Sequence, residues 1–223
     1  MPDQPDVRAR ELANHLRQRG ITDAKVLEAI LNVPRDQFVP PAMQSDAWED
    51  RALPIACEQT ISQPFMVALM TQELALTGAE RVLEVGTGSG YQTAVLSRLA
   101  REVFTVERHA ALSEAAREML DGRLKLTNVR YRVGDGTIGW PDAAPFDRIL
   151  VTAAAPDLPE TLFQQLAEGG RIVIPIGSES QQQLNVIDRR DGKPVHFRSV
   201  SCRFVPLVGE HGWDGTDRTP RTQ

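Results

Sequence analysis

The chain has few cysteines and no excess of positive charge. Only Cys57 and Cys202 occur, too far apart in the sequence to suggest a disulfide framework or a paired metal-ligand motif. We therefore expect a reducing, cytoplasmic environment. The 25 lysines and arginines are outnumbered by 30 aspartates and glutamates, which gives a net charge of −5. An acidic chain without basic runs is a poor candidate for binding nucleic acid or an anionic membrane surface.

Long hydrophobic runs are also missing. No segment approaches the ~20 apolar residues of a membrane-spanning helix, and charged residues recur near the N-terminus, where a secretory signal would be apolar. Apolar residues still make up 41% of the 223 residues, which is enough to bury a core in one domain. We therefore expect a single domain over residues 1–213, acting as a monomer, with a loose tail at 214–223.

The spacing of the apolar residues changes along this domain. Residues 1–55 have helical spacing and predict an N-terminal helical extension. From 79 to 177, five apolar runs alternate with helix-like segments, which predicts a parallel sheet covered on both faces. Residues 178–213 predict a closing antiparallel hairpin. Together these patterns predict an α/β, Rossmann-like core.

A glycine-rich turn follows the first predicted strand, where doubly wound sheets bind their ligands. It reads Glu84-Val85-Gly86-Thr87-Gly88-Ser89-Gly90. The dinucleotide fingerprint G-x-G-x-x-G would need glycine at position 91, which is Tyr91. The phosphate-binding loop and the nucleophile elbow do not fit either. The remaining pattern, E-x-G-x-G-x-G, resembles the first motif of class I S-adenosylmethionine-dependent methyltransferases.

Acidic residues stand at the ends of the next two predicted strands. Glu107 lies 21 positions after Gly86, close to the offset of the acid that binds ribose hydroxyls in such folds. Asp135, followed by Gly136, ends the third strand, where a carboxylate can accept a hydrogen bond from an adenine amino group. Each has a simpler explanation, a solvated charge at a helix N-terminus for Glu107 and an Asp-Gly turn for Asp135. Their occurrence at successive strand ends favours a cofactor site.

Further segments resemble those of the protein-L-isoaspartate O-methyltransferase family. In that family's order, the chain contains TISQPFMVA, VLEVGTGSGYQTAVL, VFTVER, FDRILVTAAAP, LAEGGRIVIPIG and RFVPL, over roughly residues 7–213. The resemblance implies a class I methyltransferase fold, with a mostly parallel seven-stranded sheet and an N-terminal helical extension. Residues 56–78 would line the substrate and cofactor sites.

The resemblance also implies an activity. A methyl group would pass from S-adenosyl-L-methionine to the α-carboxylate of L-isoaspartyl residues in damaged proteins and peptides. The methyl ester would then collapse to a succinimide, whose hydrolysis returns part of the material to normal aspartate. S-adenosyl-L-homocysteine would be the other product, and no metal would be needed.

Site residues follow from the same resemblance. Ser62 is the implied catalytic residue, although a helix N-cap ahead of Pro64 would also explain a serine there. The implied cofactor contacts are Ile61, Ser62, Glu84, Gly86, Thr87, Gly88, Ser89, Gly90, Glu107, Asp135 and Gly136. The implied substrate contacts are Thr60, Ile61, Ser62, Ala154 and Val208. Phe65 stands where some members of the family have histidine, so any role of that histidine is absent here or supplied otherwise.

The residues fit this chemistry on their own terms. A free α-carboxyl has a pKa of about 3.3–3.7, so the acceptor is already ionised at neutral pH and needs no general base. The main task is to hold one oxygen in line with the methyl group. The small, neutral segment Thr152–Pro156 offers no metal-binding acids. Methyl transfer to a small molecule and a non-catalytic nucleoside-binding module remain alternatives on this fold.

Overall fold

The computed structural model of the chain describes residues 6–214, and for Arg198 and Ser199 it describes the main chain only. From residue 215 onward, the loose tail expected at 214–223 lies outside the described residues. Within residues 6–214, none of the helices is both long enough and apolar enough to cross a membrane.

The N-terminal part of the chain is mainly helical because its apolar residues recur at helical spacing. Its elements are α1 (Val7–Gln18), α2 (Ala24–Asn32) and two 3-10 turns, Arg35–Phe38 and Pro41–Met43. Leu16 of α1 and Ile30 of α2 are fully buried against the rest of the molecule. A short antiparallel hairpin follows and leads into a third helix; these elements are β1 (Leu53–Pro54), β2 (Thr60–Ile61) and α3 (Pro64–Leu74).

The central sheet has seven strands in the order β5-β4-β3-β6-β7-β8-β9. They are β3 (Arg81–Val85), β4 (Glu102–Glu107), β5 (Val129–Val133), β6 (Phe146–Val151), β7 (Leu166–Gly177), β8 (Gln182–Arg190) and β9 (Lys193–Cys202). Strands β3 to β7 pair in parallel, and β8 and β9 add to β7 as an antiparallel hairpin. The prediction of an α/β fold with a mostly parallel seven-stranded sheet is confirmed.

Helices cover both faces of this sheet. The chain forms α4 (Tyr91–Ser97) after β3, α5 (Ala110–Arg117, continued by a π-helical turn at Glu118–Arg123) after β4, and α6 (Glu160–Gln164) after β6, whereas β5 is followed by 3-10 turns at Gly136–Ile138 and Pro141–Ala143. Side chains alternate along a strand, so Val82 packs into the core on one face while Leu83 and Val85 pack into the core on the other. This two-sided burial accounts for the continuous apolar runs in the sequence.

The strand order indicates which edge of the sheet can bind a ligand. From β3 the chain proceeds outward to β4 and β5, then returns to the other side of β3 with β6. The order therefore reverses between β3 and β6, and open α/β sheets bind ligands at the carboxyl ends of the strands beside such a reversal. Val85 and Val151 are the last residues of these two strands.

Candidate active site

The glycine-rich loop joins β3 to α4 at the reversal point. Gly86 has a φ of +98°, and a Cβ there would lie 2.3 Å from Oγ1 of Thr152, so no other residue fits. The Thr152 hydroxyl is 3.0 Å from the carbonyl oxygen of Val85 and 2.8 Å from that of Gly86. The start of the loop is thus fixed to the residue that follows β6.

Glu107, the last residue of β4, fixes the middle of the loop. Its side chain is buried, and its Oε2 accepts a hydrogen bond from the Gly88 N–H at 2.9 Å. Its Oε1 accepts one from the His109 N–H, also at 2.9 Å. Each carboxylate oxygen has a further lone pair, and the residue lines the cleft beside the loop. Glu107 therefore holds the loop and keeps acceptor capacity for a ligand.

Glu84 lies behind the loop rather than in the cleft wall. It is fully buried, and its Oε2 accepts hydrogen bonds from the hydroxyls of Thr93 (2.6 Å) and Thr105 (2.7 Å). The Thr105 hydroxyl is also 2.6 Å from that of Thr87 in the loop. Burial raises the pKa of Glu84 to about 8, because desolvation outweighs the two threonine hydrogen bonds. The folded protein therefore keeps this carboxyl mostly protonated at neutral pH.

The end of β5 meets the C-terminal segment. Asp135 Oδ1 accepts hydrogen bonds from the N–H (2.8 Å) and hydroxyl (2.7 Å) of Thr137, and its Oδ2 accepts one from the Glu210 N–H at 2.7 Å. Burial alone would raise the pKa of Asp135, but these hydrogen bonds hold it below its ordinary value. Gly136 lines the cleft, and a Cβ there would lie 2.4 Å from Val85 Cγ1.

The segment after β9 closes the cleft over the end of β6. Ala154 donates its N–H to the Val205 carbonyl at 2.8 Å and accepts a hydrogen bond from the Leu207 N–H at 2.7 Å. The indole N–H of Trp213 donates to the same Ala154 carbonyl at 2.9 Å. Ala154 itself is fully buried, whereas Val205 to Val208 line the cleft.

Ser62 lies between β2 and α3. The helix begins at Pro64 with Gln63 in the N-cap position, so Ser62 is not the N-cap and the proline occupies its favoured N1 site. Among the residues whose side chains are described, the Ser62 hydroxyl has no hydrogen-bond partner. The half-buried side chain lines the cleft beside the glycine-rich loop.

Ser62 also borders a second cavity. An open groove adjoins the cleft and is lined on its far side by Arg19, Phe65, Met66 and Phe204, among others. The groove and the cleft share Thr60, Ser62, Thr152, Val205 and Pro206. A ligand in the cleft and a second one in the groove would therefore meet beside Ser62.

The structure separates the sequence-predicted residues into two groups. The cleft is lined by Thr60, Ile61, Ser62, Gly86, Thr87, Gly88, Ser89, Glu107, Gly136 and Val208. Outside its lining lie Glu84, Gly90, Asp135 and Ala154.

Sequence reasoning missed other residues that line the cleft. They are Gln59, Val67, Val85, Tyr91, Gln92, Val106, Arg108, His109, Thr152, Ala153, Val205, Pro206 and Leu207. Arg108 and His109 directly follow the strand-end acid, so their position was a usable signal. Val205 to Leu207 come from a distant segment, and no local pattern points to them.

The cleft fits a nucleoside that carries a charged tail. The space inside the cleft and at its open mouth amounts to about 790 Å³. Gly86 and Gly136 let main chain form part of its wall, Val106 and Leu207 are apolar, and Glu107 supplies a carboxylate. Within residues 6–214, no group of three or more His, Cys, Asp or Glu residues is arranged to hold a metal ion.

The strand order and the cleft at its reversal point are those of the class I S-adenosyl-L-methionine-dependent methyltransferase fold. The chain matches the family model described as "Protein-L-isoaspartate(D-aspartate) O-methyltransferase (PCMT)" over residues 7–212. It therefore belongs to the protein-L-isoaspartate O-methyltransferase family.

Individual relatives agree with this assignment. The chain is 55% identical over 204 residues to protein-L-isoaspartate O-methyltransferase 1 of Anaeromyxobacter sp., covering 91% of this chain and 96% of the relative. It is 52% identical over 211 residues to the protein-L-isoaspartate O-methyltransferase of Geobacter metallireducens, covering 94% and 97%.

Two solved structures are similar as well. A protein-L-isoaspartate O-methyltransferase has a TM-score of 0.82 at 33% identity, covering 92% of this chain and 67% of that one. A Plasmodium falciparum protein of the same description, solved with S-adenosyl-L-homocysteine, has a TM-score of 0.80 at 28% identity, covering 91% and 99%. The chain is thus a carboxyl methyltransferase that acts on isoaspartyl residues, and the sequence-based predictions of family, cofactor and activity are confirmed.

Glu84 yields a prediction about pH. Its pKa lies near 8 in the folded protein against an ordinary value of 4.5. Its contribution to stability is therefore fully present below about pH 4.5 and is lost as the pH rises through about 8, because only the unfolded chain ionises freely. Relative to Glu84→Gln, the wild type should lose stability in urea unfolding between about pH 5 and 8 and level off above that.

The control for this experiment is Glu102→Gln, at the opposite end of the neighbouring strand β4. Its unfolding free energy should follow the wild-type pH curve. Parallel curves for Glu84→Gln and the wild type would contradict the raised pKa.

Proposed function

We propose that this enzyme methylates the isoaspartyl α-carboxylate where the cleft meets the groove, with Ser62 as the catalytic residue. The observation that carries the proposal is that Ser62 borders both cavities while its hydroxyl has no partner among the described side chains. The cleft would hold the cofactor, and the groove would hold the peptide chain around the damaged residue. A free donor at the junction of the two is the group that an incoming carboxylate needs.

The cofactor contacts are proposed from the cleft lining. Glu107 would accept hydrogen bonds from the ribose hydroxyls, since each of its oxygens already accepts one main-chain N–H and keeps a further lone pair. Val106 and Leu207 would pack against the apolar parts of the nucleoside. The methionine part would lie along the glycine-rich loop and β2, against Ile61, Ser62, Gly86, Thr87, Gly88, Ser89 and Gly136.

Four residues that were predicted as ligand contacts lie outside the lining of the cleft and would support it: Glu84, Gly90, Asp135 and Ala154. Glu84 supports the loop through its threonine hydrogen bonds, and Gly90 accepts the close packing of Ala116, whose Cβ would lie 3.1 Å from an added Cβ. Asp135 holds the C-terminal segment through Glu210, and Ala154 holds it through Val205 and Leu207. We propose that these residues position the cleft instead of touching the ligands.

The acceptor would be handled mainly by orientation. When bound, S-adenosyl-L-methionine supplies an electrophilic methyl group on a sulfonium centre. The Ser62 hydroxyl would donate to one oxygen of the ionised carboxylate and leave the other oxygen facing the methyl group. Thr60, Ile61 and Val208 would line the space around the acceptor. No proton has to be removed, because the carboxylate is ionised at neutral pH.

Repair would follow after the ester leaves the enzyme. The main-chain nitrogen that follows the ester attacks its carbonyl carbon, the nitrogen loses its proton and methanol departs, which gives a succinimide. Water then opens the ring at either carbonyl, and one of the two openings restores a normal aspartyl linkage. The enzyme's part is to turn a poor leaving group into a good one.

We further propose that the enzyme works as a monomer in the cytoplasm, on damaged proteins and without nucleic acid or membrane partners. Cys57 and Cys202 are both free thiols, and Cys57 is exposed, which suits a reducing compartment. The net charge of −5 makes attraction to nucleic acids or anionic lipids unfavourable.

Two synthetic peptides that differ only in one aspartyl linkage test the activity. With methyl-labelled S-adenosyl-L-methionine, we expect base-labile methyl ester on the β-linked peptide and none on the α-linked one, measured as released methanol. Label on neither peptide, with cofactor binding confirmed by calorimetry, would point instead to a different acceptor.

Ser62→Ala should lower kcat for the β-linked peptide by roughly 10- to 100-fold, because the carboxylate loses the donor that orients it. The affinity for S-adenosyl-L-homocysteine should change less. Ser45→Ala removes an exposed hydroxyl outside both cavities and should keep the wild-type kcat. An unchanged kcat for Ser62→Ala would remove Ser62 from the catalytic role.

Glu107→Ala should weaken binding of S-adenosyl-L-homocysteine by about 1–3 kcal/mol, because hydrogen bonds to a charged group are lost. Calorimetric titration measures this directly. Glu102→Ala, at the other end of β4, is the matched control and should bind as the wild type does. Equal affinities for all three proteins would show that Glu107 does not contact the ribose.

A further inference from the structure

Arg35, in the first 3-10 turn, is fully buried. Its Nε donates to the Ala47 carbonyl oxygen and its Nη2 to the Ser62 carbonyl oxygen, both at 2.8 Å. Its guanidinium carbon lies 4.7 Å from the centre of the Tyr91 ring. Among residues 6–214, Arg35 forms no salt bridge with a carboxylate, and its Nη1 has no hydrogen-bond partner.

Stability alone is a weak explanation for this arrangement. Moving a guanidinium out of water costs several kcal/mol, and only good compensating interactions offset that cost. Arg35 is buried without a salt-bridge partner, and one of its donor atoms is left unsatisfied. What Arg35 does provide is a pair of hydrogen bonds to two main-chain carbonyls that are distant in sequence.

One of those carbonyls belongs to the proposed catalytic serine. The peptide unit that contains the Ser62 carbonyl is planar, so holding its oxygen restrains the main chain at Ser62, from which the side chain projects. The ring of Tyr91, the residue directly after the glycine-rich loop, packs against the Arg35 guanidinium. Arg35 therefore touches both segments that meet at the transfer site.

Asp50 holds the same segment one step further along the chain. Its Oδ1 accepts a hydrogen bond from the Phe65 N–H at 2.8 Å, and its carbonyl oxygen accepts one from the Gln63 side chain at 2.9 Å. The main chain on the C-terminal side of Ser62 is thereby anchored to the N-terminal part of the molecule. Ser62 lies between that anchor and the β1–β2 hairpin, and Arg35 donates to the Ser62 carbonyl itself.

We propose that Arg35 is a positioning residue for methyl transfer, which orients the Ser62 hydroxyl by holding the Ser62 carbonyl. The inference rests on the proposed function of Ser62 and extends it, because it assigns a catalytic task to the N-terminal helical part of the chain. Arg35 is buried and acts through Ser62, so it touches neither the acceptor nor the cofactor.

Arg35→Met tests the proposal with little change in side-chain volume. We expect kcat for the β-linked peptide to fall by about 10- to 100-fold, since small misplacements of an orienting group have effects of that size. The affinity for S-adenosyl-L-homocysteine should stay close to that of the wild type, whereas the urea midpoint should fall, because the Ala47 and Ser62 carbonyls lose their donor. An unchanged kcat, or an equal fall in cofactor affinity, would overturn the proposal.

The matched control is Arg148→Met. Arg148 also donates to two main-chain carbonyls, those of Leu74 (2.6 Å) and Asp147 (2.8 Å), but it lines neither cavity. It should keep the wild-type kcat. If Arg35→Met does not fold, Arg35→Lys replaces it, because lysine keeps the charge and loses the planar fork. Lowered kcat with retained cofactor affinity would then support the proposal, and wild-type kcat would overturn it.

A double-mutant cycle separates this inference from the role of Ser62. Ser62→Ala alone tests the hydroxyl. In a Ser62→Ala background, Arg35→Met should cost little further activity, because the group it positions is already gone. The same fold loss in both backgrounds would show that Arg35 acts independently of Ser62 and would overturn the inference, while leaving the role of Ser62 intact. A wild-type kcat for Ser62→Ala would refute the hydroxyl's role, and the inference would fall with it.

Discussion

The active site depends on how closely main chain packs at the end of β3. A Cβ on Gly86 would lie 2.3 Å from Thr152, and one on Gly136 would lie 2.4 Å from Val85. Three strand ends and the glycine-rich loop therefore converge on one point with no room for additional side chains. Because the wall of the cleft is partly main chain there, it offers N–H groups and close approach to a ligand. The Glu107 side chain then holds the loop from the cleft, and the buried Glu84 carboxyl supports it from the opposite side through Thr93 and Thr105.

The two halves of the site have different origins. The cofactor side is built by the parallel sheet and its loops, an arrangement that many enzymes share. The proposed acceptor side is built by segments outside the parallel core, namely the hairpin that leads to Ser62 and, after β9, Val208. In the proposed arrangement, the common part of the fold would bind the methyl donor, and the peripheral segments would select the acceptor.

What the sequence predicted follows the same division. Strand ends, the glycine-rich loop and Glu107 were predictable because their signals are local, a buried run that stops at a glycine or an acid. The hydrogen bonds of Ala154 with Val205 and Leu207 join segments some fifty residues apart, and the Arg35 bond to Ser62 spans 27. Asp135 was singled out by its place at a strand end; its oxygens bond Thr137 and Glu210, and the second partner has no local signature. Tertiary contacts between distant segments produce no periodic pattern in the sequence.

The hydrogen bond from Trp213 to Ala154 has a consequence for synthesis on the ribosome. The seventh strand of the sheet ends at Cys202. Val205 to Val208, which line the cleft, and Trp213, whose indole donates to Ala154, come later in the sequence. A nascent chain whose sheet has already formed thus still has an open cleft. The cleft is closed on this side only when residues 205–213 pack against the end of β6.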